Sequence, residues 1–176
     1  DILINNAGCV NQKLSFTEDN LEKTIQTNHI SHVMLTALLL KNLKNSNDPR
    51  VINVGSGAHS FIDNKIDYFK FTEDNYAWFN IYGISKAGNI LFSESLMRFS
   101  LFNDKFQYLL SCCPTPGAVN TEIVRTEETT FLMKIVIFTF LRPVMYLIFR
   151  SEEMGAQTSL HCCYMQRNEF KNGEYV

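Results

Sequence analysis

Three short apolar runs each end in a loop of small residues, and this pattern constrains the chain more than any other. Ile2-Leu3-Ile4 runs into Asn5-Asn6-Ala7-Gly8. Val51-Ile52-Asn53-Val54 runs into Gly55-Ser56-Gly57, and Phe106 to Cys113 into Pro114-Thr115-Pro116-Gly117. Runs of this length, bounded by turn residues, predict buried strands. Helical patterns separate them. A long helix is expected from a Ser15-Phe16-Thr17-Glu18 start to about Lys44–Asn47, with Leu21, Ile25, Asn28, His32, Leu35 and Leu39 on one stripe. From Val33 to Leu40 that helix is apolar almost all round, which predicts cover on more than one side. A second helix is expected from Phe79 to Leu101. A third opens at Ser151-Glu152-Glu153, with acid in its first turn, and runs to about Tyr164. Glu174-Tyr175-Val176 reads as the start of another strand.

Strands alternating with helices predict an α/β fold with a parallel sheet covered on both faces. In such folds ligands sit at the carboxyl ends of the strands. Here those ends carry small residues, which let a ligand approach the backbone.

The totals exclude several classes. The 176 residues suffice for one domain. Sixteen basic residues against eighteen acidic ones leave a net charge of −2, so no basic surface argues for nucleic acid. Five cysteines, four in adjacent pairs, do not form the spaced framework of a disulfide-rich secreted chain, and point to a reducing compartment. His161-Cys162-Cys163 point in three directions on a helix, which argues against a shared metal ion. His29 and His32 lack a third ligand. Cys112 and Cys113 should face opposite sides of their strand. His59 reads as a hydrogen-bonded loop histidine.

Tyr82-Gly83-Ile84-Ser85-Lys86 carries the clearest chemistry. Residues four apart share a helix face. An ammonium beside a phenol favours the phenolate and predicts a lowered tyrosine pKa. Tyr82 is thus a candidate general acid or base, and Ser56 a second hydroxyl for the same substrate oxygen. Asn28, on an otherwise apolar stripe, must find a partner.

Taken in order, Asn5-Asn6-Ala7-Gly8, Asn28, Ser56, Tyr82-x-x-x-Lys86 and Pro116-Gly117 resemble the short-chain dehydrogenase/reductase family over nearly the whole chain. Thr27 to His32, Val51 to His59, Ser85 to Phe92 and Gly155 to His161 are similar to its retinol dehydrogenase-like branch. The resemblance implies a Rossmann-type doubly wound sheet and catalytic roles for Asn28, Ser56, Tyr82 and Lys86. Tyr82 would transfer the proton and Lys86 would lower its pKa and hold the nicotinamide ribose. Ser56 would polarise the substrate oxygen. Asn28 would support a water-linked proton path through its main-chain carbonyl. Asn6, Ala7 and Gly8 would line the adenosine side of the cofactor, with Pro116, Gly117, Val119 and Thr121 by the carboxamide. NADP or NAD is the implied cofactor, with NADP favoured by resemblance. Gly55 stands where the family often has serine, and Thr115 where it often has His or Asn.

The implied substrate is a lipophilic alcohol or carbonyl such as a retinoid. The alternatives are a steroid or xenobiotic carbonyl reductase of the same family, and a truncated, non-enzymatic interaction module. Residues 131–149 are mostly apolar but carry Lys134, Arg142 and Pro143. They read as a substrate-covering lid that touches a membrane surface rather than a membrane span. The resemblance leaves homo-oligomerisation open and implies an intracellular protein, cytoplasmic or associated with the endoplasmic-reticulum membrane.

No G-x-x-x-G-x-G pattern occurs in the chain. By resemblance Asp1 to Ile4 is the fourth strand of the full sheet, with the first strands and the glycine-rich loop missing. Residues 1–176 are therefore expected to form one partial domain, truncated at both ends, with an exposed apolar edge strand and little activity alone.

Overall fold

A computed structural model of the chain describes residues 1–63, 71–107, 109–117, 119 and 150–176. Its centre is a three-stranded parallel sheet in the order β1-β2-β3. The strands are β1 (Ile2–Asn5), β2 (Arg50–Asn53) and β3 (Leu110–Cys112). Ile4 pairs with Ile52, and Ile52 with Cys112. The expected α/β class and parallel sheet are thus present.

Side-chain alternation along β2 divides the core in two. Val51 packs with Leu43, Leu96 and Leu109 on one face. Ile52 packs with Leu110, Cys112, Cys162 and Phe170 on the other. The first face is covered by α2 (Ser31–Leu43) and α3 (Trp78–Leu101), the second by α4 (Glu152–Tyr164). The expectation that Cys112 and Cys113 face opposite sides follows from this geometry. Cys112 faces α4, whereas Cys113 lies against Gly55. Ser151 caps α4 by accepting from Met154 N, as its sequence suggested.

A chain of buried side chains crosses beneath all three strands. Asn5 Nδ2 donates to Asn53 Oδ1 at 2.7 Å and to Thr36 Oγ1 at 3.0 Å. Asn53 Nδ2 donates to Ser93 Oγ at 2.9 Å, and Ser93 Oγ to the Cys112 carbonyl at 3.2 Å. Each strand is thereby tied to its neighbour by side chains as well as by the main chain.

The structure corrects the first helix. It begins with α1 (Lys23–Ile25), not near Ser15. Thr17 and Leu21 close a turn, with Asn20 at a φ of 57°, and Phe16 bridges to Glu22. Glu22 is the cap. Its buried carboxylate accepts from Thr24 N at 3.0 Å and Ile25 N at 2.7 Å, and from the Tyr76 hydroxyl at 2.9 Å. A π-turn (Gln26–Ile30) then joins α1 to α2.

The stripe is corrected too. Besides Leu43 near its end, the buried positions from α1 through α2 are Thr24, Asn28, His32 and Thr36, a polar row at four-residue spacing that keeps only Asn28 and His32 of the expected stripe. Met34, Leu35 and Leu38 are exposed, so α2 is covered on one side among the described residues. β3 is shorter than its apolar run because Asp104–Phe106 forms a 3-10 turn. Glu174-Tyr175-Val176 pairs with 113–115: Cys113 bridges Tyr175 in parallel, and Thr115 N donates to the Val176 carbonyl at 2.7 Å. The lid expected at 131–149 lies outside the described residues.

Candidate active site

The carboxyl ends of the three strands open into a cleft of about 1160 Å³. Asn6, Ala7, Gly8, Pro116, Gly117 and Val119 line it. Ser56, Tyr82 and Lys86 line it as well. Thr121 lies outside the described residues. Apolar surface from Ile4, Val54, Ala156 and Leu160 completes the walls, with Ala156 and Leu160 on α4.

Glycine brings Ser56 and Tyr82 together. Ser56 ends the loop after β2 and caps the 3-10 turn Gly57–Phe61 by accepting from Ala58 N at 3.2 Å. Tyr82 lies in the first turns of α3. Beside it, Gly83 rests on that turn so closely that a Cβ would stand 2.7 Å from the Ala58 carbonyl oxygen. This contact holds the Ser56 loop against the helix turn that bears Tyr82, and both hydroxyl-bearing residues line the cleft. Gly55 has a similar cause: a Cβ there would meet Cys113 Sγ at 2.9 Å. A side chain at this position would require Cys113 to shift.

The tyrosine pKa runs opposite to the expectation from spacing. Burial pushes the Tyr82 phenol above its ordinary value, and the Ser56 hydrogen bond only partly offsets this. The Lys86 ammonium sits 5.7 Å from the Tyr82 ring centroid and donates to the Val54 carbonyl at 3.0 Å. Burial brings Lys86 itself down to about 8. Tyr82 is therefore a neutral phenol at physiological pH.

Asn28 is fully buried on the π-turn, and its partners were not legible in the sequence. Its Oδ1 accepts from Cys9 N at 2.8 Å, and its Nδ2 donates to the Cys9 carbonyl at 2.9 Å and to Ser85 Oγ at 3.1 Å. Asn28 therefore fastens the loop after β1 to the turn of α3 that bears Lys86. A π-turn is a frequent mark of functional positions, and an Asn in an apolar run was the one signal for it. His59 is a turn residue, as expected: Nδ1 lies 2.7 Å from the Ser56 carbonyl, and its ring meets Tyr175 edge-on. Among the described residues no cluster of three or more metal-ligating side chains occurs. Among them, too, no helix is long and apolar enough to cross a membrane.

This arrangement matches a known family. The model of the short-chain dehydrogenases covers residues 1–130, and the chain belongs to that family. It is 35% identical over 175 residues to retinol dehydrogenase 12 of Mus musculus, covering 99% of this chain and 51% of the relative. Retinol dehydrogenase 11 of Homo sapiens is 33% identical over 178 residues, with 99% and 51% covered. Among solved structures, one of a Mycobacterium paratuberculosis protein superposes with a TM-score of 0.68 at 26% identity, covering 100% of this chain and 53% of that one. The chain thus spans about half the length of the curated relatives it matches.

Proposed function

We propose that these residues form the catalytic, nicotinamide-facing part of an NAD(P)-dependent oxidoreductase acting on a lipophilic alcohol or carbonyl such as a retinoid. The observation that carries this reading is the convergence of Ser56, Tyr82 and Lys86 on one cleft, with the Lys86 ammonium 5.7 Å from the Tyr82 ring centroid. The donor set suits a nicotinamide ribose and a substrate oxygen: two hydroxyls and an ammonium on a floor of small residues. Lys86 and Tyr82 would hold the ribose, with Asn6, Ala7 and Gly8 on one side and Pro116, Gly117 and Val119 on the other.

The coenzyme supplies or accepts the hydride when bound. The protein supplies the proton. Ser56 orients the substrate oxygen toward the Tyr82 phenol, and Tyr82 gives its proton to that oxygen as the carbonyl is reduced. In the reverse direction Tyr82 takes the proton from the alcohol. Lys86 stabilises the phenolate that reduction leaves behind. The apolar walls favour a hydrocarbon substrate over a sugar or a hydroxy acid, and the names of the relatives point the same way.

Purified full-length gene product assayed with NADPH and NADH against retinaldehyde, a steroid ketone and a small aromatic aldehyde tests the reading. Oxidation of reduced coenzyme with retinaldehyde is the expected result. Turnover of the steroid or aromatic aldehyde alone would replace the substrate. Failure to oxidise either coenzyme with any of the three would overturn the function.

A further inference from the structure

Several residues close to Lys86 have no part in proton transfer, and they form one interlocked unit. Asn89 is fully buried one turn beyond Lys86 on α3. Its Nδ2 donates to the Val54 carbonyl at 3.2 Å, the same oxygen that accepts from Lys86 Nζ at 3.0 Å. Its Oδ1 lies 3.1 Å from His29 Nδ1. The amide can serve the Val54 carbonyl only with its nitrogen, so Oδ1 must accept and His29 Nδ1 must carry the hydrogen. The His29 ring is wedged in turn. A Cβ on Gly88 would stand 2.9 Å from its Cγ and Nδ1, and Phe92 meets it edge-on at 6.4 Å.

Val54 precedes the Gly55-Ser56 loop, and its carbonyl has two lone pairs and two donors. A buried carbonyl left with no donor is costly. With Asn89 in place, one donor remains when the other leaves. We propose that Asn89, oriented by His29, is a positioning residue that frees Lys86 to exchange the Val54 carbonyl for the coenzyme ribose. This inference rests on the oxidoreductase reading above. His29, Gly88 and Asn89 then act together. His29 sets the amide, Gly88 makes room for the ring, and Asn89 secures the carbonyl that Lys86 vacates.

The test uses the full-length gene product and reads coenzyme affinity directly, by fluorescence titration with reduced nicotinamide coenzyme. Asn89→Leu leaves Lys86 as the sole side-chain donor to Val54, so coenzyme binding weakens about tenfold. The KM for the carbonyl substrate stays at its wild-type value. His29→Leu lets the amide turn and weakens coenzyme binding in the same sense. His29→Gln restores a donor to Asn89 and recovers most of the affinity. This His29 pair decides the question if Asn89→Leu does not fold. Unchanged coenzyme affinity in the folded variants, with only the melting temperature lowered, would overturn the inference and leave the oxidoreductase reading standing. So would a His29→Gln variant no better than His29→Leu. A wild-type protein that bound neither dinucleotide would overturn the oxidoreductase reading, and this inference with it.

Discussion

The side-chain amide of Asn28 closes on both main-chain polar groups of Cys9, accepting from its N–H at 2.8 Å and donating to its carbonyl at 2.9 Å. The clamp joins a helix to the loop that leaves β1, nineteen residues earlier in the chain. Asn28→Ala would leave the loop's N–H and carbonyl without these partners and remove the tie to Ser85. The expected cost is about 2–3 kcal/mol of folding stability, measured by urea unfolding. Asn28→Asp should recover only the bond from Cys9 N, because a carboxylate cannot donate to the Cys9 carbonyl or to Ser85.

Tyr82→Phe removes the proposed proton donor and little volume. Turnover of the full-length gene product should fall by at least about a hundredfold, with coenzyme affinity falling far less, by about the worth of one ribose hydrogen bond, because Lys86 keeps its own. Steady-state kinetics beside a fluorescence titration gives both quantities. Because burial holds the phenol above its ordinary range, alcohol oxidation should grow faster toward alkaline pH as the phenolate forms. Ser56→Ala should push that alkaline limb higher still, since the Ser56 hydrogen bond is what lowers the phenol.

Gly83→Ala tests the contact that brings the two hydroxyls together. The added methyl would fall 2.7 Å from a main-chain oxygen, which cannot rotate away as a side chain would. α3 and the 57–61 turn must then separate. A loss of about 2 kcal/mol in stability is expected, with a fall in turnover as Ser56 moves off Tyr82. Thermal melts and steady-state rates on one preparation distinguish the two effects.

Lys86 gives a stability prediction with a definite sign. Its folded-state pKa of about 8 lies below the ordinary 10.5. Between those values the unfolded chain binds more protons than the folded one, so this group makes stability rise as pH increases through the window. Below pH 8 the buried ammonium is a net cost. Lys86→Met should therefore stabilise the protein at pH 7, by on the order of 3 kcal/mol at most, and abolish the rise between pH 8 and 10. Asn89 keeps the Val54 carbonyl bonded in that variant. Urea unfolding at pH 7, 8, 9 and 10 for both proteins checks the slope.

The trio Ser56, Tyr82 and Lys86 on the cleft was legible because its signals are local. Tyr82 and Lys86 sit four apart on one helix, and Ser56 follows a strand whose apolar run is unmistakable. The alternation of runs was enough for the parallel sheet and for the cleft at its carboxyl ends. What the sequence hid depends on contacts between distant segments. The Ser15-to-Glu18 pattern matches a helix start, but the competing carboxylate of Glu22 takes the amides of Thr24 and Ile25 while also accepting from Tyr76. The sign of the Tyr82 shift escapes a reading from spacing, which reports the charge of Lys86 and not the burial of the phenol. Nor does spacing show that Lys86 turns to the Val54 carbonyl. The parts played by Gly83 and Gly88 were invisible for a related reason: each is defined by what lies opposite it, Ala58 in one case and His29 in the other.

The polar chain from Asn5 through Asn53 and Ser93 to Cys112 also acts as an error check on assembly. A strand displaced by one place turns every one of its side chains to the opposite face of the sheet. A β1 slipped so that Ile4 takes the place of Asn5 would leave Asn53 Oδ1 and Thr36 Oγ1 facing hydrocarbon in place of the Asn5 amide. Misregistered forms of this sheet are therefore penalised by stranded amides before any ligand is present. The loops that build the cleft inherit their spacing from that proofreading.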